Sequence, residues 1–411
     1  MNVRRSAAVL AAVAAVGAAT PAAADPSPSP SQAFPSALYG GKDPKFDGVW
    51  RQSLALLAQD TVGVKPAAKS VEWLVRQQCA DGSFAPYRAD PTTACDARTM
   101  VDTNQTAAAV QALTALGGHD AVTGKAVTWL KSVQNKDGGW GYSPGGASDT
   151  NSTSVVIGAL AAAGEKPEQV DKGGKSPYDA LLKLALGCDG DDAGAFAFQP
   201  DKKGKLAANA DATAAGVLGA LGQGMVVKPG EKTEATESTG ATKGQACEDE
   251  KTPEQAAANG AAYLTKALAE DGHLTSALPG SDPQPDYGNT ADAVVALAAR
   301  GETGQAEKSL SWLEKNASTW AAQNGPAAYA QLVFAAHATG TNPRDFGGTD
   351  LVKQLNATGP APQTAGRTQA AEEESESDSG PFGVWWYVGV CLVAGVGIGF
   401  LFSGRRNRQQ P

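Results

Sequence analysis

Two registers of fixed spacing constrain this chain more than any other feature. In the first, Trp73, Trp129, Leu181 and Tyr263 are each followed eight residues later by Asp-Gly, at Asp81-Gly82, Asp137-Gly138, Asp189-Gly190 and Asp271-Gly272. In the second, Thr106, Thr153, Thr213 and Thr290 each stand eleven residues before a glycine, and four residues after a capping residue: Asp102, Asp149, Asn209 and Asp286. Asp and Asn start helices by accepting a backbone N–H, and glycine ends them by taking φ > 0. The chain is therefore a series of helical hairpins in which a glycine-rich turn separates an outer helix from a capped inner one.

Gln52 and Tyr329 extend the second register, which makes six inner helices. Outer helices are expected near 66–78, 122–134, 176–187, 254–269 and 305–316, with a short sixth near 349–356. Six hairpins closing on themselves form an all-α, α6/α6 toroid. The inner helices are built from Ala, Gly, Val and Leu, whose small side chains permit close approach around an axis. The outer ones carry larger Trp, Leu and Lys in an amphipathic pattern.

The toroid is expected over 46–356, with an exposed, charged insertion loop at about 226–251. Residues 1–24 have a basic start, an apolar run and Ala22-Ala23-Ala24, the pattern of a secretory signal peptide. A flexible lead-in covers 25–45. Residues 357–382 read as a disordered acidic stalk. Residues 383–402 carry no charge and suffice for one membrane span, and the Arg-rich tail 403–411 places its far end in the cytoplasm. The expected protein is thus a bacterial-type, single-pass surface protein whose N-terminal domain is extracellular. The formal net charge is −9, and setting aside Arg4, Arg5, Arg405, Arg406 and Arg408 leaves about −14 between the ends. Such a body repels phosphate backbones, so nucleic acid is excluded as a partner.

Of five Cys, Cys391 falls in the span. The other four, Cys79, Cys95, Cys188 and Cys247, allow three pairings in an exported domain. Cys79 with Cys95 is preferred, because both lie in one helix-to-helix connection, and Cys188 with Cys247 follows. No two have C-x-x-C spacing, and three His are too few to suggest zinc.

Gln78-x3-Gly82-x-Phe84 and Gln134-x3-Gly138-x-Trp140, each preceded by Trp-Leu, resemble the QW repeat of squalene cyclases and protein prenyltransferases. The resemblance covers about residues 45–356 and implies the toroid, with the Gln capping neighbouring helix ends and the aromatic stacked in the turn. The catalytic residues of those enzymes are not matched. The cyclase acid motif D-x-D-D finds only Asn209-Ala210-Asp211-Ala212-Thr213, so Asp211 is a weak catalytic candidate. The zinc ligands of prenyltransferases and the Cys-Gly-Glu-Gln of thioester toroids are absent, and no pair of facing carboxylates is singled out for glycoside hydrolysis.

Val101-Asp102-Thr103-Asn104-Gln105-Thr106 and Ser148-Asp149-Thr150-Asn151-Ser152-Thr153 look like the inner-helix segments of the transcobalamin and intrinsic-factor family. That resemblance implies a secreted, disulfide-bonded toroid that binds cobalamin without catalysis. The family's closing C-terminal β domain has no counterpart after Thr358. A separate lid protein or transporter, a different ligand, or a likeness of the toroid alone are the alternatives.

The reading that follows is a surface receptor for a small hydrophobic or amphiphilic molecule, with a corrinoid as the specific expectation and no cofactor required. An isoprenoid-processing enzyme and a protein- or glycan-docking scaffold are the alternatives. Ligand contacts are expected at the inner-helix mouth, from Asp102, Asn104, Thr106, Asp149, Asn151, Thr153, Asp211, Tyr287, Asn289 and Tyr329. The four capping residues serve the helix first. Trp140, Tyr142, Phe84, Phe196 and Phe198 are expected to pack in turns, and His337 in the core or at the rim.

Overall fold

Inner helices, four of them opened by a side-chain cap, alternate with outer ones along the chain. The computed structural model describes residues 34–230, 247–249, 252–276 and 283–364. Among them are thirteen α-helices. The inner set is α1 (Gly48–Thr61), α3 (Thr103–Leu116), α5 (Thr150–Ala162), α7 (Ala210–Ala220), α9 (Tyr287–Arg300) and α12 (Pro326–Ala338). The outer set is α2 (Ala68–Arg76), α4 (Asp120–Ser132), α6 (Pro177–Leu184), α8 (Pro253–Leu268), α10 (Thr303–Asn316) and α13 (Leu351–Ala357). Each inner helix packs on the next, and α12 returns to α1, so the ring closes as an α/α toroid.

The capping residues act as their chemistry dictates. The side chains of Asp102, Asp149, Asn209 and Asp286 accept from the backbone N–H groups of Gln105, Ser152, Ala212 and Asn289. The two registers are also joined to each other. Phe84, Trp140, Phe196 and Leu274, in the turns after the outer helices, each donate a backbone N–H to the Oγ1 of Thr106, Thr153, Thr213 and Thr290, at 2.9–3.1 Å. Both ends of every such bond are buried. The fourth-position Thr is thus the pin that fixes each turn on the following inner helix.

The turn glutamines bridge successive repeats. Gln78 Nε2 donates to the carbonyls of Gly82 and Val122, and Gln134 Nε2 to those of Gly138 and Val170. Gly82 and Gly138 have φ of 100° and 93°. A Cβ at either would lie 2.3 Å from the Lys125 carbonyl oxygen or 2.0 Å from that of Ser176. No other residue fits, because the turn lies directly on the next outer helix. Trp140 is buried in its turn and donates Nε1–H to the Leu130 carbonyl. Phe84 and Phe196 are buried likewise, whereas Phe198 and Tyr142 are exposed.

Cys79 is bonded to Cys95 and Cys188 to Cys247, with Cα–Cα distances of 5.7 and 5.4 Å.

The structure differs from expectation at the edges of the toroid. The described part of the lead-in, 34–45, is docked: Leu38 and Tyr39 are buried, and the Tyr39 N–H donates to Gln52 Oε1. The first residues assigned to the stalk are docked as well. Gly40 N donates to the Thr358 carbonyl, Tyr39 OH to that of Pro360, and Gln363 N to that of Lys65. Apolar Leu38 and Tyr39, and glycine at Gly359 where a Cβ would meet the Tyr39 ring at 2.4 Å, explain why the two ends stay together.

The segment assigned to the start of an exposed loop is not exposed either. Gln111 Oε1 accepts from Met225 N, Val227 is 3% exposed, and Gly224 lies on Gly158, where a Cβ would stand 2.7 Å from the Gly224 Cα. Residues 223–227 thereby cross the C-terminal end of the inner barrel. Two further elements have no counterpart in the sequence pattern. They are helix α11 (Ser318–Asn324) and a two-stranded hairpin of β1 (Leu274–Ser276) and β2 (Gln284–Asp286). No helix of the described residues is long and apolar enough to cross a membrane. The expected signal peptide, the span at 383–402 and its tail lie outside the described residues.

Candidate functional site

Inner-helix N-termini gather at one mouth of the ring, and the axis below them holds a cavity of about 260 Å³. Its wall is layered by helix position. Asn104, Asn151 and Asp211 are the second residues of α3, α5 and α7. Asp292 and Gln331 are the sixth residues of α9 and α12. Leu218, Val295 and Phe334 are the ninth residues of α7, α9 and α12. At 1.5 Å per residue these positions span about 10 Å, with the carboxyl groups above and, below, an apolar layer interrupted by Gln111 and Gln223. Gln223, Gly224 and Met225 complete the lining, held by Gln111 at the far end from the mouth. Trp50 and Leu54 of α1 close the remaining side.

The polar layer is dominated by two carboxyl groups from different helices. Asp211 Oδ2 accepts from Asn151 Nδ2 at 2.8 Å, and Asp292 Oδ2 from Gln331 Nε2 at 3.0 Å. The apolar surroundings act first on both. Desolvation pushes Asp292 up to about 7, Asp211 and Asp286 add repulsion, and the Gln331 amide opposes them. Burial also raises Asp211, reinforced by Asp286 and opposed by Asn151. Asp292 is therefore part protonated at neutral pH, and can donate or accept a proton there. Among the described residues the lining contains no Lys, Arg or His.

Several wall atoms are polar, buried and unpaired. Asn151 spends its amide N–H on Asp211, which leaves Oδ1 without a donor; Asn104 Oδ1 is in the same state. Ser154 is 5% exposed, lines the cavity and has no partner for its Oγ. Buried groups left unpaired cost roughly 1–3 kcal/mol each. Among the described residues no group of three or more His, Cys, Asp or Glu is placed to hold a metal ion.

The residues expected at the mouth divide into two groups. Asn104, Asn151 and Asp211 meet in the cavity. Asp102 and Asp149 are buried caps outside its lining. Burial pushes Asp102 up to about 6, against the Gln105 N–H and the Tyr142 hydroxyl, and raises Asp149 too. Thr106 and Thr153 face the turns, not the cavity, because their hydroxyls are the pins described above. Asn289 turns back on its own cap, Nδ2 to Asp286 Oδ2 at 2.8 Å. Tyr287 stacks between Trp312 and Trp320, at ring centroid distances of 5.1 and 5.6 Å. Tyr329 is buried in the core, and His337 is half-buried outside the lining, its pKa lowered by burial.

Asp292 was not foreseen. Its signal is an acid in the middle of Tyr-Gly-Asn-Thr-Ala-Asp-Ala-Val-Val-Ala-Leu, where the inner-helix pattern calls for a small apolar residue. Gln331, in the last inner helix, carries the same signal more weakly.

Residues 50–187 match the family model described as the prenyltransferase alpha-alpha toroid domain. Over that stretch the chain is similar to such a toroid domain. Among solved structures, ent-copalyl diphosphate synthase from Streptomyces platensis is similar at 15% identity and a TM-score of 0.46. That alignment covers 71% of this chain and 50% of the synthase, so the chain spans half the synthase's length. A protein from Actinoplanes is similar at 16% identity, covering 70% of this chain and 100% of that one, with a TM-score of 0.33. A wild-type glycosidase is similar at 14% identity, covering 75% and 93%, with a TM-score of 0.43. No curated protein matches the chain. The matched part of the toroid runs from α1 past α6 and stops short of Asp211 and Asp292.

Proposed function

We propose that this toroid is an exported, membrane-tethered protein that binds a small amphiphilic molecule in its axial cavity. The observation that carries this reading is the cavity itself, with a polar layer at the mouth, an apolar layer beneath and a floor made by residues 223–225. Buried, unpaired oxygen atoms in its wall favour occupancy by a ligand that pairs them. Two disulfides agree with an exported domain, and the apolar stretch 383–402 would supply the tether.

The size of the cavity revises the ligand. Pockets for drug-sized molecules measure about 300–1,000 Å³. At about 260 Å³ the space is too small for a corrinoid with its nucleotide loop, so cobalamin is not the ligand proposed here.

Native mass spectrometry of the full chain in detergent tests the reading. A retained small molecule is expected, and Ala215→Phe, which fills the cavity from α7, is expected to abolish retention while leaving the circular dichroism unchanged. Retention that survives Ala215→Phe would place the ligand elsewhere.

A second reading is favoured by one observation, the part-protonated Asp292 beside Asp211. Such a pair is suited to general acid catalysis on an apolar substrate, an isoprenoid-like molecule among them. Turnover that disappears in Asp292→Asn while ligand retention persists would favour the enzyme.

A further inference from the structure

We propose that the ligand is a primary ammonium with a short apolar body, its N–H groups received by Asp211, Asp292 and the Asn151 Oδ1. This rests on the small-molecule reading above and names the chemical class.

Three independent features converge on it. The first is charge. Two carboxyl groups enter the polar layer from α7 and α9, Asp286 lies close enough to repel both, and among the described residues the lining has no basic side chain to balance them. An anion is repelled by such a wall, and a cation relieves the repulsion within it. The second is the hydrogen-bond inventory. One amide N–H of Asn151 and one of Gln331 are given to the two acids. The buried unpaired wall atoms include Asn151 Oδ1 and Asn104 Oδ1, which can only accept, and Ser154 Oγ, which is 5% exposed. An ammonium offers three donors and no acceptor, which complements that set. The third is shape. Leu218, Val295 and Phe334 lie about one turn beneath Asp292 and about two beneath Asp211, so a short alkyl or ring body extends downward from a head held at the mouth. Trp50 adds an aromatic face at the same level as the head.

The binding is linked to pH. Asp292 ionises as pH rises through about 7, and the groups facing it are Asp211, Asp286 and Gln331. Affinity for an amine that stays protonated therefore rises from pH 6 to pH 8.

The test uses the full chain in detergent and three probes of one size: cyclohexylmethylamine, cyclohexylmethanol and cyclohexanecarboxylate. Each is titrated by calorimetry at pH 8 and checked by native mass spectrometry. The amine is expected to bind at least tenfold tighter than the alcohol, and the carboxylate not at all. Asp211→Asn and Asp292→Asn, which keep the shape, are each expected to lose about tenfold for the amine and clearly less for the alcohol. An alcohol that binds as tightly as the amine overturns the cationic class and leaves the small-molecule reading standing. So does an amine unaffected by both Asn variants. If none of the three probes binds, the small-molecule reading falls with it.

Discussion

The first and second halves of the ring are built to different rules. In α1 to α5 the turns follow one template. Gly82 and Gly138 lie against the backbone of the next outer helix, and the residues facing the axis are amides, Asn104 and Asn151. From α6 onward the template loosens. Gly190, at the same place in the Asp-Gly register, has no atom near its open side, and the close approach passes to Gly194 on Asn259. A hairpin replaces the short turn before α9, and two acids, Asp211 and Asp292, join the amide of Gln331 at the axis. The family match ends at residue 187, where this change begins. Regular repeats build the frame, and the chemistry sits where the repeat departs from itself.

The sharpest way to break this comparison is at the glycines. Gly138→Ala must move the Ser176 backbone and adopt a left-handed φ, so a loss of about 3 kcal/mol or more is expected, enough to remove the native state at 37 °C. Gly190→Ala meets no neighbour and should cost only the left-handed conformation, about 1–2 kcal/mol. Urea unfolding of the two variants measures the gap; equal losses would mean that the turns of the two halves are equally tight.

The acids of the second half give the next effect. Asp292 has a folded pKa of about 7, above its value in an unfolded chain, so the folded state holds its proton more tightly. The stability this proton gives is complete below about pH 4 and is lost as pH rises to about 7. Asp292→Asn should flatten that fall and make the protein more stable than the parent at pH 8, by on the order of 3 kcal/mol. Melting temperature against pH for both proteins is the measurement. A parent and variant with parallel profiles would show that the cavity solvates its acid.

The smallest contrast concerns the pins, which do not distinguish the halves. Thr153→Val and Thr213→Val remove a hydroxyl at nearly constant volume and strand the buried N–H groups of Trp140 and Phe196. Each should cost about 1–3 kcal/mol, and the two losses should agree. A loss confined to Thr153→Val would extend the asymmetry from the turns to the inner helices.

What was legible in the sequence followed from local chemistry. Asp102, Asp149, Asn209 and Asp286 are caps because of what lies within four residues of them, and glycines end helices for equally local reasons. The disulfides followed once the hairpins were placed. The floor at 223–227 was not legible, because its fit depends on Gly158 and Gln111, distant in sequence and silent in composition. At the site, Asn104, Asn151 and Asp211 line the cavity because the second position after the cap turns to the axis. Thr106 and Thr153 turn their hydroxyls to the neighbouring turns, and a hydroxyl near a mouth looks the same in sequence whichever way it faces. Asp292 lies in a helix middle, where no capping rule marks it.

The docking of residues 38–40 against 358–363 has a consequence for how the ring is made. The contacts across this seam join residues about three hundred positions apart, such as Tyr39 with Pro360 and Gln59 with Asn356. Closing so long a loop is the most entropically demanding step of assembly, and contacts of such separation form late. Until they form, α1 and α12 each present a bare apolar edge. A chain shortened by its last hairpin would therefore expose two sticky faces, and aggregation, rather than a frayed terminus, is the outcome the topology dictates.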